Sequence, residues 1–206
     1  KKNQKNEQNK DIYVNQNLLN IISPSGISFD NNYADIGEGV GKIFCISRYP
    51  SELDYGWLSD IVNLPGAAAT VEYRYSPEDI MIAQFNRRIS ELKSARETER
   101  KESEIQRYEH QIEDLKNLIN RISVKREPVG FFNVLLHIQD ANEELLAKRI
   151  RNINSRVRIH ECDMQFLKFK QRQALESMSP WGIPNAMVYN VGERNMPMST
   201  FVGGFP

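Results

Sequence analysis

Between Ser76 and Pro128 the chain carries two apolar stripes at helical spacing that are out of phase with each other. This pair limits the possible folds more than any other feature. The first stripe is Ile82, Phe85, Ile89 and Leu92. Extending it would require apolar residues where Arg96, Glu99 and Ser103 stand. The second stripe starts afresh at Ile105 and runs through Tyr108, Ile112, Leu115, Ile119 and Ile122 as an a/d repeat. One helix across the whole interval would be about 75 Å long and would strand the β-segments on either side of it. Two antiparallel helices with a polar tip near Arg96 to Lys101 bring the chain back. The spacing therefore predicts a helical hairpin arm over 77–126, with a tip that holds neither Gly nor Pro. Ser76 is the expected cap, Pro77 suits the first turn, and Glu78 and Asp79 favour the positive end of the dipole.

The arm interrupts a regular alternation of strands and helices. Val40 to Tyr49 reads as a strand, and Leu53, Trp57, Ile61 and Leu64 read as a helix stopped by Pro65-Gly66. Ala67 to Tyr75 alternates, with Ala69, Val71, Tyr73 and Tyr75 on one face. After Pro128, Val129 to Gln139 is the most apolar strand, with Phe132, Val134, Leu136 and Ile138 facing one way. Asp140 is the expected cap of a helix carrying Leu145, Leu146, Ile150 and Ile153. Arg158 to Asp163 reads as a strand and Gln165 to Met178 as a helix. The order β-α-β, helical hairpin, β-α-β predicts an α+β fold of the ferredoxin-like split βαβ class. Short strands over 11–36 extend it at the N-terminal side. The expected division is a disordered start at 1–10, an α+β docking domain at 11–180 containing the arm, and an extended, irregular linker at 181–206.

Lys and Arg total 27, as do Asp and Glu, so the formal net charge is zero and the basic excess of a general nucleic-acid binder is missing. Cys45 and Cys162 lie in apolar or alternating stretches and read as two buried free thiols in a reducing cytoplasm. No apolar run approaches the roughly 20 residues that span a bilayer, and Lys1 to Lys10 is not a signal peptide. The chain begins without Met and stops abruptly at Phe205-Pro206, which reads as a cut fragment.

No constellation of residues demands an active site. Gly37-Glu38-Gly39-Val40-Gly41-Lys42 imitates a phosphate loop, but Ile36 and Ile43 occupy positions where Gly and Ser or Thr are needed. It also precedes a strand instead of following one. His160 and Cys162 fall on one side of the predicted strand, yet two ligands do not close a metal site. No catalytic, cofactor-binding or metal residue is assigned. Two interaction surfaces are. One is the stripe Ile105, Tyr108, Ile112, Leu115, Ile119 and Ile122, read first as the arm's internal seam and otherwise as a docking face. The other is the basic run Lys148, Arg149, Arg151, Arg156 and Arg158, read as a solvated helix face, an acidic-partner site or a nucleic-acid site. Phe131 and Phe132 come nearest to the stacking aromatics of an RNA-binding sheet, without the Lys/Arg-Gly-Phe signature.

Arg48-Tyr49-Pro50, then Gly56-Trp57-Leu58, resembles the opening of the VirB-four-type conjugation ATPases, with their TraE-like and TraC-like relatives. The alternating strand ending in Ser76-Pro77-Glu78, and the long helical insertion after it, are similar to the same family. So is Met198-Ser199-Thr200-Phe201 leading to Phe205-Pro206, which matches the family's step into its motor. The resemblance spans about residues 11–206. It implies the non-catalytic N-terminal docking and assembly domain of a type IV secretion or conjugative transfer ATPase. ATP and magnesium would belong to a motor beyond this chain, whose nucleotide-binding motifs have no counterpart here. The implied partners are membrane channel components, the protein's own motor domain and further copies of itself, with no direct nucleic acid. The implied location is the cytoplasm, peripheral at the inner face of the cell membrane. The alternative is a standalone ferredoxin-like module that binds nucleic acid or protein.

Overall fold

The computed structural model describes residues 27–30, 33–36, 39–50, 53–179, 182–183 and 185–205. The expected start at 1–10 and the part of the expected short-strand extension over 11–26 lie outside the described residues. In chain order the elements are β1 (Ile27–Phe29), β2 (Ala34–Ile36), β3 (Gly39–Arg48), α1 (Trp57–Val62) and β4 (Ala67–Tyr75). The arm is α2 (Glu78–Thr98) and α3 (Glu102–Ser123). Then come β5 (Val129–Asp140), α4 (Glu143–Ile159), β6 (Asp163–Phe166), α5 (Gln171–Met178), α6 (Ala186–Gly192), β7 (Arg194–Pro197) and α7 (Met198–Gly203).

All the strands join one antiparallel sheet. β5 lies at its centre, pairing with β4 on one edge (Val71 opposite Val134) and with β3 on the other (Phe44 opposite Leu136). β6 pairs with the far edge of β3 (Phe44 opposite Phe166), so β6-β3-β5-β4 are consecutive. β3 and β4 both run antiparallel to β5, hence parallel to each other, and α1 makes the crossover between them. β5 and β6 stand in the same relation about β3, with α4 as their crossover. β2 pairs with the start of β3 and leaves a gap in that edge before β6 begins. Buried Gln171 fills the gap. Its Oε1 accepts from the Ile43 N–H at 2.8 Å, and its Nε2 donates to the Ile43 carbonyl at 3.0 Å. An amide side chain thus replaces a strand, which meets the requirement that buried backbone groups be paired.

The period-2 pattern of the strands creates two apolar faces, and helices cover both. Phe44, Ile46, Phe132, Val134, Leu136 and Ile138 pack with Trp57, Leu58 and Ile61 of α1 and with Leu146, Ile153 and Val157 of α4. On the opposite face Ile43, Cys45 and Leu135 pack with Ala174 of α5 and Val188 of α6. Burial pushes the thiols of Cys45 and Cys162 up to about 11, so both stay protonated and inert at neutral pH. His137 is largely buried near this second layer. Its Nε2 has no hydrogen-bond partner among the described residues, and burial holds its imidazole below the ordinary value of 6.5. The unfolded chain therefore takes up this proton more readily than the folded one. Stability is full above about pH 6.5 and is lost as the pH falls from there through the lower folded value. Denaturant unfolding at about pH 7.5 and about pH 5.5 should show this slope, and His137→Gln should remove its share of it.

The arm is an antiparallel pair with cores of its own. Near its root, Met81, Phe85 and Ile122 pack with Val129 of β5. Further out, Ile89, Leu92 and Ile112 form a separate cluster. The tip turns without Gly or Pro because Glu99 Oε1 accepts from the Arg100 N–H (2.8 Å) and the Lys101 N–H (3.1 Å). That carboxylate holds the turn between the extended residues Glu99 and Lys101 and is drawn below the usual range by the same two N–H groups.

Several local expectations are corrected. The segment after Ser179 is not irregular, because its described residues form α6, β7 and α7, and β7 adds to the sheet beside β5 (Phe132 opposite Arg194). The mixed polar sequence of β7 hides a strand whose buried members are Met196 and Pro197. Arg158 and Ile159 belong to α4, which ends at His160, and the strand begins only at Asp163. Glu161, at φ 54°, makes the turn, so His160 and Cys162 do not share a strand face. The helix expected from Gln165 begins at Gln171. Ser76 is buried without capping α2, whose N-cap position is Pro77. Asn142, not Asp140, caps α4, its Oδ1 accepting from the Leu145 N–H at 2.9 Å.

Candidate docking surface

Two of the segments singled out in the sequence, Tyr49-Pro50 with Gly56-Trp57-Leu58 and Met198 to Phe205, lie far apart along the chain and meet at one corner of the sheet. Tyr49 follows β3 and Trp57 opens α1. Both rings stand edge-on to Phe132 of β5, with centroids 5.4 and 6.0 Å away. Phe201 of α7 closes the group at 5.7 Å from Phe132 and stacks on Tyr73 of β4 at 4.9 Å. The backbone locks the same contact. The N–H groups at the start of α1 have no partner within that helix. Gly56 donates to the Gly203 carbonyl at 2.9 Å, and Leu58 and Ser59 donate to the Gly204 carbonyl at 3.0 and 3.1 Å. The chain thus ends its described course as the cap of a helix formed nearly 150 residues earlier.

Close approach explains the glycine at 204. A Cβ there would lie 2.9 Å from Leu58 Cβ and 3.0 Å from Trp57 Nε1. At Gly203 a Cβ would meet nothing within 4 Å. Gly204→Ala should therefore cost about 1–3 kcal/mol through overpacking, and Gly203→Ala should cost little. Paired denaturant titrations check this, and equal midpoints for the two variants would refute the fitted contact.

Two grooves open beside this corner and share Arg48, Tyr49, Pro50 and Leu53. One, about 1060 Å³, extends toward His160 and Cys162. The other, about 400 Å³, runs between the sheet and Asn117, Leu118 and Arg121 of α3. Tyr49 Oη and Trp57 Nε1 are buried without hydrogen-bond partners among the described residues. Burial raises the Tyr49 hydroxyl well above its ordinary range, so it remains a neutral donor. Trp57 and Phe132 are buried, so the corner is a packed joint of the core, and the two grooves beside it are the open surface there.

The two surfaces predicted from sequence occupy other places. Ile112 and Ile122 are buried in the arm, and Tyr108, Leu115 and Ile119 pack against the same clusters, so the stripe is spent on the arm's own seam. Ile105, near the tip, is half-buried. Lys148, Arg151, Arg156 and Arg158 are exposed on α4. Arg149 is drawn out of that set. Its Nε lies 2.6 Å from Asp140 Oδ2, and it holds the Asp140 carboxyl below the usual range. Phe132 is fully buried, and Phe131 lies under the Arg74 guanidinium (5.5 Å) and packs on the arm. Neither presents a face on which a base could stack. Sequence reasoning missed Phe201, Gly203 and Gly204 as parts of the corner, because Pro197 and the glycine pair break every periodic pattern around them.

Among the described residues no helix is long and apolar enough to cross a membrane, and no cluster of three or more His, Cys, Asp or Glu side chains could hold a metal ion. No family model matches the chain. It is similar to the uncharacterized protein pXO2-09 of Bacillus anthracis, at 23% identity over 164 residues. That alignment covers 78% of this chain and 25% of the relative, so the chain spans about a quarter of that protein's length.

Proposed function

We propose that this chain is a docking and assembly module of a conjugative transfer ATPase of the VirB-four type, with the ATP-driven motor in a following part of the protein. The observation that carries the reading is the aromatic corner. Two of the segments that resemble the family, Tyr49-Pro50 with Gly56-Trp57-Leu58 and Met198 to Phe205, pack on each other there. The similarity to a quarter of a longer protein agrees with a module set within a larger chain. In this reading, the consecutive strands β6-β3-β5-β4 and the crossovers α1 and α4 on one face make a ferredoxin-like split βαβ unit, with the arm inserted between its halves. Membrane channel components would engage this module at the cytoplasmic face, and α7 would set the direction in which the chain proceeds to the motor.

The test is to read the coding sequence beyond Pro206. The proposal requires a GxxxxGK[ST] segment between a strand and a helix downstream. A stop codon, or a following domain with no nucleotide-binding motif, would rule it out.

A further inference from the structure

β4 is a long strand with a bare edge. All nine of its residues pair with β5, and among the described residues nothing pairs with its other side. Folded proteins usually blunt such an edge with brevity, a bulge, Pro or Lys. The other strands near the sheet's margins follow that rule. β1 has three residues, β6 has four, and the ladder between β3 and β6 shifts register between Ile46 and Arg48. β4, Ala-Ala-Ala-Thr-Val-Glu-Tyr-Arg-Tyr, has no bulge, Pro or Lys, and its charges are confined to Glu72 and Arg74.

We propose that this edge pairs with the β4 edge of a second copy of the chain, in an antiparallel register centred on Tyr73. Identical edges that pair antiparallel are related by a two-fold axis normal to the sheet, which keeps like faces aligned. Opposed residues then share a face, and a register is named by the residue on the axis. Centring on Glu72 or Arg74 sets like charges directly opposite, which is unfavourable. Centring on Val71 leaves Glu72 against Thr70 and Arg74 against Ala68. Centring on Tyr73 sets Glu72 of each copy opposite Arg74 of the other, twice.

The charges are already prepared for that arrangement. Arg74 Nε lies 3.3 Å from Glu72 Oε1 within the chain, and its guanidinium also meets Glu193. Two such pairs related by the two-fold form a ring of alternating sign. The same register sets Tyr75, which is 63% exposed at the end of the strand, opposite Val71 of the second copy. The occupant is therefore the chain's own edge, selected by charge complementarity and by hydrogen-bonding groups that the sheet leaves open.

The experiment is sedimentation equilibrium of the chain over a concentration series, with charge variants. Wild type is expected to dimerise reversibly. Glu72→Arg and Arg74→Glu should each raise the dimer dissociation constant about tenfold or more. An equimolar mixture of the two variants should restore a heterodimer, and the double swap Glu72→Arg with Arg74→Glu should restore the homodimer. A fold damaged by the substitutions would not be rescued in either way. In wild type, amide exchange over residues 70–76 should slow as concentration rises. A chain that stays monomeric throughout overturns the proposal. So does a dimer whose dissociation constant ignores both single charge reversals, or whose exchange over 70–76 is independent of concentration.

Discussion

Phe132→Ala is expected to destabilise the protein by about 3–5 kcal/mol, the range for truncating a buried aromatic residue. Phe132 has no exposed surface, lies mid-strand in β5 and touches three other rings, Tyr49, Trp57 and Phe201. Those rings come from the end of β3, from α1 and from α7, so the cavity would open where three separate segments are joined. The rings cannot collapse into it together, because α1 and α7 are tied by the Gly203 and Gly204 carbonyls. For a chain of this length the loss corresponds to a fall in melting temperature of about 6–20 °C. Phe131→Ala is the internal control. Its ring is half-buried on the other face, beneath Arg74 and against the arm, and its removal should cost less. Thermal unfolding followed by circular dichroism reads both. A Phe132→Ala protein that melts within about 1 °C of wild type would show that the corner is not the centre of the core.

What the sequence makes legible here depends on whether local pattern or distant contact decides each element. Ala67–Tyr75 follows from its alternation and Val129–Asp140 from a run that is apolar on both faces, since both patterns are local to the chain. The arm follows from the phase break between Leu92 and Ile105, because two helices must turn where one stripe ends and another begins. The Glu99 carboxylate that builds the tip is visible as a residue but not as a role, since nothing local shows that two N–H groups will turn toward it. The C-terminal segment reads as irregular because its order comes from elsewhere. β7 is a strand because β5 offers it an edge, and α7 stays in place because α1 needs its carbonyls. Gln171 gives the clearest case. A glutamine at the start of an amphipathic helix reads as solvated, yet it is buried because β2 and β6 leave Lys42 and Ile43 of β3 without a strand partner on that edge. The aromatic corner was half legible. Tyr49, Trp57 and Phe201 stand in segments that resemble a family while Phe132 does not, and their contact needs the fold.

Leu115→Asp is expected to melt the arm while leaving the sheet folded. Leu115 packs against both arm clusters, the one at the root with Phe85 and Ile122 and the outer one with Ile89, Leu92 and Ile112. A carboxylate there removes the leucine's packing and brings a charge among apolar groups. The cost is roughly 2–5 kcal/mol, the range of a leucine truncation, and half-exposure of the site places it toward the lower end. The outer cluster draws only on α2 and α3, so it has no support from the sheet once its seam is broken. Local opening of this kind is set by the stability of the unit concerned and not by the global free energy. Hydrogen exchange should therefore rise over residues 89–112 while protection in β3 and β5 stays near wild type. Trypsin should cut at Arg96, Arg100 or Lys101 well before it cuts the sheet. If the arm keeps its helicity and protease resistance, the stripe is not a packed seam, and Ile105 to Ile122 returns to being a candidate docking face. If arm and sheet are lost together, the arm is part of one cooperative core, and its two clusters are coupled to the sheet through Val129 at its root.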